Sequence, residues 1–101
     1  MHIIALRALR EFWEKYPQAE TPLRAWYAEA SRANWSTPAD IKAAHRNASF
    51  LANKRVVFNI KGNDYRLVVS VAYQYRAVYV KFIGTHRQYD GLDAETVEME
   101  V

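Results

Sequence analysis

A chain of 101 residues, half of them hydrophobic and a quarter charged, has the make-up of one soluble globular domain, 1–101, with a single core. It holds no cysteine, which excludes a disulfide framework and a thiolate metal site and fits a reducing, cytoplasmic compartment. The net charge of +3 is unevenly spread. Residues 54–87 carry Lys54, Arg55, Lys61, Arg66, Arg76, Lys81 and Arg87 against the single acid Asp64, and residues 88–101 carry Asp90, Asp93, Glu95, Glu98 and Glu100 with no base. A basic middle beside an acidic tail suggests an anionic partner, with the tail as a shield for that site or as a solubilising segment.

In chain order, "HIIAL" is a short apolar run that fits either a first strand or the lead-in to a helix. Charges inside the N-terminal run exclude a signal h-region, and no apolar stretch approaches the roughly 18 residues needed to cross a bilayer. From Ala5 to Tyr16, Leu6, Leu9, Trp13 and Tyr16 share one face at helical spacing, and Pro17 ends that helix. Thr21-Pro22 reads as the next helix start, threonine as cap and proline in the first helical position. Leu23, Trp26, Tyr27 and Ala30 then form its apolar stripe, and the aromatics of both helices read as core anchors. A third, short helix starts at Thr37-Pro38-Ala39-Asp40, where Thr37 and Asp40 have capping-box spacing, and ends near His45. "NASFLANK" reads as a loop, and its Asn47-Ala48-Ser49 sequon as chance.

From Lys54 the period changes to two. "KRVVFNI" alternates Val56, Phe58 and Ile60 with Val57 and Asn59. "KGND" is a turn, with Gly62-Asn63 suited to positive φ angles. "DYRLVVSVAYQY" and "RAVYVKFIG" are two further strands joined by a short connection around 74–76. Helices followed by a three-strand antiparallel meander make an α+β fold, with the N-terminal helices packed on the meander.

Several chemistries are excluded. There is no glycine-rich phosphate loop, the histidines at 2, 45 and 86 form no pair at metal-ligand spacing, and no serine sits in a nucleophile elbow. Neither a metal nor a cofactor is expected. The remaining constellation lies in the meander. Alternation places Arg66, Val68, Ser70 and Ala72 opposite the bulky Tyr65, Leu67, Val69, Val71 and Tyr73, leaving a shallow, half-open face on which Arg66, Asn59 and a nearby lysine would attract a phosphate. Along the next strand Tyr79, Lys81 and Ile83 alternate with Val78, Val80 and Phe82, so that Lys81 shares the arginine's side or projects at the rim. If the chain turns helically after Gly84, then His86, Tyr89 and Asp90 lie at i, i+3 and i+4 on one face beside Arg66. Such a group has the parts for metal-free RNA cleavage: a base for the ribose 2′-OH, cations for the phosphate and an acid for the leaving 5′-oxygen. The plain alternative is that Tyr89 packs, His86 is a surface residue and Asp90 caps the turn.

"VFNIKGNDYRLVVSVAY" followed by "VYVKFIGTHRQYDGLD" closely resembles the HigB branch of the RelE/ParE toxin superfamily, most specifically over residues 56–93. "MHII", "EKYPQAETPL" and the proline-started third helix are similar as well. The resemblance implies a RelE-like α+β fold and a toxin of a type II toxin-antitoxin system. That toxin would be an endoribonuclease, an mRNA interferase that cuts mRNA, typically on the ribosome. It implies a HigA-type helix-turn-helix antitoxin as partner.

The positions matching the family pattern are Arg66, for phosphate and transition-state charge, and His86, for proton transfer. Tyr89 would serve in stacking or proton transfer, and Asp90 in orienting its neighbours. Candidate RNA-binding residues are Lys54, Asn59, Lys61, Lys81 and Arg87. The chain departs from RelE itself in the strand before Tyr-Arg, where Val57 and Asn59 stand near the places of lysines. Lys54 and Lys61 flank that strand as substitutes. The competing functions are a ParE-like gyrase inhibitor and a non-catalytic RNA- or ribosome-binding module.

Overall fold

The computed structural model describes residues 1–99, so that Glu100, counted in the acidic tail, lies outside the described residues. The opening apolar run forms strand β1 (His2–Ile4), followed by helix α1 (Leu6–Lys15). Leu9, Phe12 and Trp13 are the buried residues of α1, and Leu6 and Tyr16 are partly covered. Pro17 does end α1, and it opens a 3-10 turn (Pro17–Ala19) that runs directly into helix α2 (Glu20–Arg32). The expected start at Thr21-Pro22 is therefore corrected to Glu20, with Ala19 at the cap and no side-chain capping bond. Pro22 is tolerated there because the first-turn N–H groups have no intrahelical acceptor to lose. Helix α3 (Pro38–Ala44) starts as its sequence dictates, with Thr37 Oγ1 accepting from the Asp40 N–H and Asp40 Oδ2 accepting from the Thr37 N–H at 3.1 Å.

"NASFLANK" is not all loop. Ser49–Leu51 forms β2, an edge strand antiparallel to β3 (Arg55–Ile60), in register Ser49 with Val57 and Leu51 with Arg55. Three residues are too few to show a period, so only pairing reveals this strand. β4 (Tyr65–Ala72) and β5 (Ala77–Thr85) complete the meander, with a 3-10 turn over Tyr73–Tyr75 between them. The sheet order is β1-β5-β4-β3-β2, antiparallel throughout except where β1 runs parallel to β5. In the β3–β4 turn the positive φ angles fall on Lys61 and Gly62, not on Gly62 and Asn63. Asn63 is thereby free to use its side chain elsewhere.

Helices and sheet enclose the main core. Leu9, Leu23, Ile41, Val56, Phe58, Leu67, Val69, Val71 and Val78 are among its most deeply buried side chains, each stabilising the fold by about 1.5–3 kcal/mol. Trp13, Trp26 and Trp35 are core residues, and Trp26 meets Phe58 edge-on at 5.4 Å. The opposite, outer face of the sheet carries a second, smaller cluster. Val57, Val68 and Ala94 are buried there, with Leu51, Phe82, Tyr89, Leu92 and Val97 packed around them. A register shift between Val68 and Val69 lets β5 carry one extra residue. It corrects the expected alternation of β5: Phe82 joins the outer cluster and Ile83 the helix-side core, because a bulge inverts the parity of the residues beyond it.

Candidate active site and RNA-facing surface

The outer face is not half-open along its whole length. Strand pairing sets Asn59 beside Arg66 and Arg66 beside Gly84, so one row crosses β3, β4 and β5 at the end where β5 leaves the sheet. Gly84 leaves room in this row for two side chains. A Cβ there would lie 2.4 Å from the Phe82 ring and 2.7 Å from Gln88 Oε1. Without it, Phe82 folds over the glycine and Gln88 reaches back to the Thr85 N–H at 2.9 Å. Thr85 Oγ1 in turn accepts from the Gln88 N–H, a capping box that turns the chain into helix α4 (His86–Asp90). The helical turn expected after Gly84 therefore forms.

That turn brings four site residues together. His86 Nε2 lies 3.4 Å from Asp90 Oδ1, and both side chains are about half exposed or more. The Arg66 guanidinium carbon sits 5.8 Å from the centre of the Tyr89 ring. Arg66 is further held by Asn63, whose side-chain oxygen accepts from Nη2 at 2.8 Å and whose carbonyl accepts from Nη1 at 3.2 Å. The His86 N–H donates to the Asp64 carbonyl at 3.0 Å, tying α4 to the same turn. Tyr89 also packs against the outer cluster, and Asp90 is no cap, since Thr85 and Gln88 fill that role. Arg66 thus meets a neutral amide and an aromatic face, while its charge stays available to an anion.

The expected RNA-binding residues divide. Asn59 is exposed in the same row as Arg66. Lys61 stands at the same end, but its Nζ is 3.0 Å from Asp64 Oδ2, and that hydrogen bond and charge raise its pKa. Arg87 is exposed on α4 and has no ion pair among the described residues. Lys54 lies apart from this row: it sits in the β2–β3 turn, five residues along β3 from Asn59, about 16 Å away at strand spacing. Lys81 shares the outer face but is occupied, its Nζ 2.7 Å from Glu98 Oε1.

The acidic tail explains that occupation. Residues 91–99 fold back across the outer face, where Ala94 and Val97 join the apolar cluster. Arg55, only 6% exposed, donates to the Ala94 carbonyl at 3.2 Å, to the Val97 carbonyl and to Glu98 Oε2. Asn53 and the Ala52 N–H bond to Glu95. The hydrogen bond from Lys81, joined by that from Arg55 and opposed by partial desolvation, holds the Glu98 carboxyl below its usual range.

Two features escaped the sequence. One is the Asn63 side chain as the holder of Arg66; the three-residue spacing in "NDYR" is its signal. The other is a cleft of about 140 Å³ next to Asn59, lined by Arg46 and Asn47 of the 45–48 loop. Reading "NASFLANK" as loop hid its register with β3.

Residues 19–92 match the family model described as HigB_toxin, a RelE-like toxic component of a toxin-antitoxin system. The chain is 34% identical over 93 residues to the mRNA interferase toxin HigB of Escherichia coli K12, covering 89% of this chain and 88% of that protein. The mRNA interferase HigB of Escherichia coli O6:H1 is 30% identical over 94 residues, covering 91% of each chain. Together with the α+β architecture, these matches show that the chain belongs to the HigB toxin family, RelE-like toxic components of toxin-antitoxin systems.

Proposed function

We propose that this chain arrests translation by cleaving mRNA, with the ribose 2′-OH as nucleophile. The observation that carries this reading is the open row in which Arg66, uncompensated by any carboxylate among the described residues, faces Tyr89 beside the His86–Asp90 pair. In this reading the 2′-oxygen attacks phosphorus, the P–O5′ bond breaks, and a 2′,3′-cyclic phosphate and a 5′-hydroxyl result. His86 transfers a proton and Asp90, at 3.4 Å, orients it. Arg66 stabilises the charge gathered on the phosphate, and Tyr89 stacks on a base or takes part in proton transfer. Asn59 within the row and Arg87 on α4 serve as RNA contacts. Lys61 contributes once a phosphate competes with Asp64. Ribosome-bound mRNA as substrate, a HigA-type antitoxin as inhibitor and a cytoplasmic site of action belong to the same proposal.

The test is pulsed expression with mapping of new RNA ends in wild type and in His86→Ala. New 5′-hydroxyl ends in wild type, reduced on the order of 10²-fold or more in the variant, are the expected result. Ends bearing 5′-phosphate and 3′-hydroxyl would refute the 2′-OH route while leaving cleavage standing. Intact mRNA with broken DNA would shift the assignment to gyrase inhibition. Ribosome association without new ends would shift it to a binding module.

A further inference from the structure

We propose that the cleft beside Asn59 is a nucleobase subsite that reads a base flanking the cut, an inference that rests on the RNA-cleaving reading above. The ladder between β2 and β3 stops at Ser49 and Val57, so the residues before Ser49 run on past the last part of β3 without pairing to it. The space left there, about 140 Å³, is lined by His45, Arg46, Asn47, Ala48, Phe58 and Asn59. Asn59 is the register partner of Arg66, one strand spacing away, and the cleft opens on the far side of Asn59, about 10 Å or two strand spacings from the arginine. A strand of RNA with its phosphate on Arg66 would set a neighbouring nucleotide there.

The loop is held in place before any ligand arrives. Lys42 Nζ donates to the Ala48 carbonyl at 2.8 Å, the Ala48 N–H donates to the His45 carbonyl at 3.1 Å, and Ala48 itself is buried. His45 packs edge-on against Phe58 at 5.0 Å and Trp35 at 5.9 Å. Both ends of the loop are therefore anchored, with Arg46 and Asn47 exposed between them. Lys42 is a positioning residue in this arrangement.

The chemistry favours a base over a phosphate alone. Two carboxamides, Asn47 and Asn59, offer both donors and acceptors, as the hydrogen-bonding edge of a base requires. A phosphate pocket would call for several lysines or arginines, and Arg46 is the one such side chain in the lining. Its planar guanidinium is suited to stack on that base or hold the adjoining phosphate, and it has no ion pair among the described residues.

The test is binding of single-stranded RNA, 2′-deoxy-substituted at the cut and varied through the four bases at each flanking position. Wild type, Asn47→Ala and Asn47→Asp are compared, with circular dichroism as the check on folding. Wild type should discriminate among bases at one flanking position on the order of ten-fold, and Asn47→Ala should flatten this to about two-fold or less. Asn47→Asp, which keeps the shape but loses the amide donors, should reorder the bases. Equal binding of all four bases by wild type, or an unchanged ranking in Asn47→Ala, would overturn the subsite. If wild type cuts RNA but binds base-blind, the subsite alone fails. If it binds with an Asn47-dependent preference but cuts nothing, cleavage fails and the subsite stands.

Discussion

Arg55 and Arg66 lie on the outer face of one sheet, at opposite ends of the β3–β4 ladder. Arg66 pairs with Asn59, four residues from Arg55 along β3, about 13 Å at strand spacing. Their surroundings are opposite in kind. Arg55 is buried under the C-terminal segment, its Nη1 donating to two carbonyls and its Nη2 to Glu98, with Nε left without a partner among the described residues. Arg66 meets a neutral asparagine and the Tyr89 ring. The comparison teaches that a basic sheet face does not act as one anion site. The chain's own acids take Arg55 and Lys81 at one end and leave Arg66 at the other without a carboxylate partner among the described residues.

The contrast is sharpest in the two alanine variants. Arg66→Ala should slow RNA cleavage on the order of 10²–10³-fold, as loss of one transition-state donor does, with little change in melting. Arg55→Ala should instead destabilise by about 1–3 kcal/mol, since it strips a buried donor from the Ala94 and Val97 carbonyls, and should keep cleaving. Single-turnover cleavage and thermal melting on both proteins separate the cases. Exchanged behaviour would break the distinction between the two ends.

A smaller change should turn the open end into a closed one. Asn63→Asp places a carboxylate where Asn63 Oδ1 now accepts from Arg66 at 2.8 Å, giving Arg66 an anionic partner like that of Arg55. The RNA phosphate must then displace an ion pair, and cleavage should fall about ten-fold, equivalent to about 1.4 kcal/mol. Asn63→Ala, which merely releases the guanidinium, should cost less. If Asn63→Asp cleaves as well as wild type, the neutrality of the Arg66 surroundings is not what keeps that end available.

The range of each interaction decided whether the sequence disclosed it. Local chemistry was legible: the Thr37–Asp40 box, the end of α1 at Pro17, the three long strands, and the helical turn that groups His86, Tyr89 and Asp90 all depend on residues a few positions apart. The Arg66 row was legible in part, because alternation gives faces but not register. Hidden features were those made by distant pairing. β2 exists only through β3, the bulge that moves Phe82 to the outer face exists only through Val68 and Val69, and which of the flanking Lys54 and Lys61 stands at the Arg66 end follows only from the β3–β4 register. The tail was read as a charge pattern, and its docking onto Arg55 and Lys81 required the fold.

The tail supplies the finest test of the two-ended face, through Glu98. Its pKa in the folded chain lies below the ordinary 4.5, held there chiefly by the hydrogen bond from Lys81. A carboxyl whose folded pKa is depressed stabilises the fold fully above its unfolded pKa, and that contribution disappears as pH falls through the folded value. Glu98→Gln should therefore melt slightly below wild type near neutrality, with the gap closing as pH drops below 4.5. The same variant frees Lys81 and part of Arg55 from their anionic partner. If the closed end is closed only by this carboxylate, RNA binding by the variant should gain salt dependence, its log–log slope steepening by about one. An unchanged slope with a lowered melting point would show that the apolar seat of Ala94 and Val97 keeps that end covered without the charge.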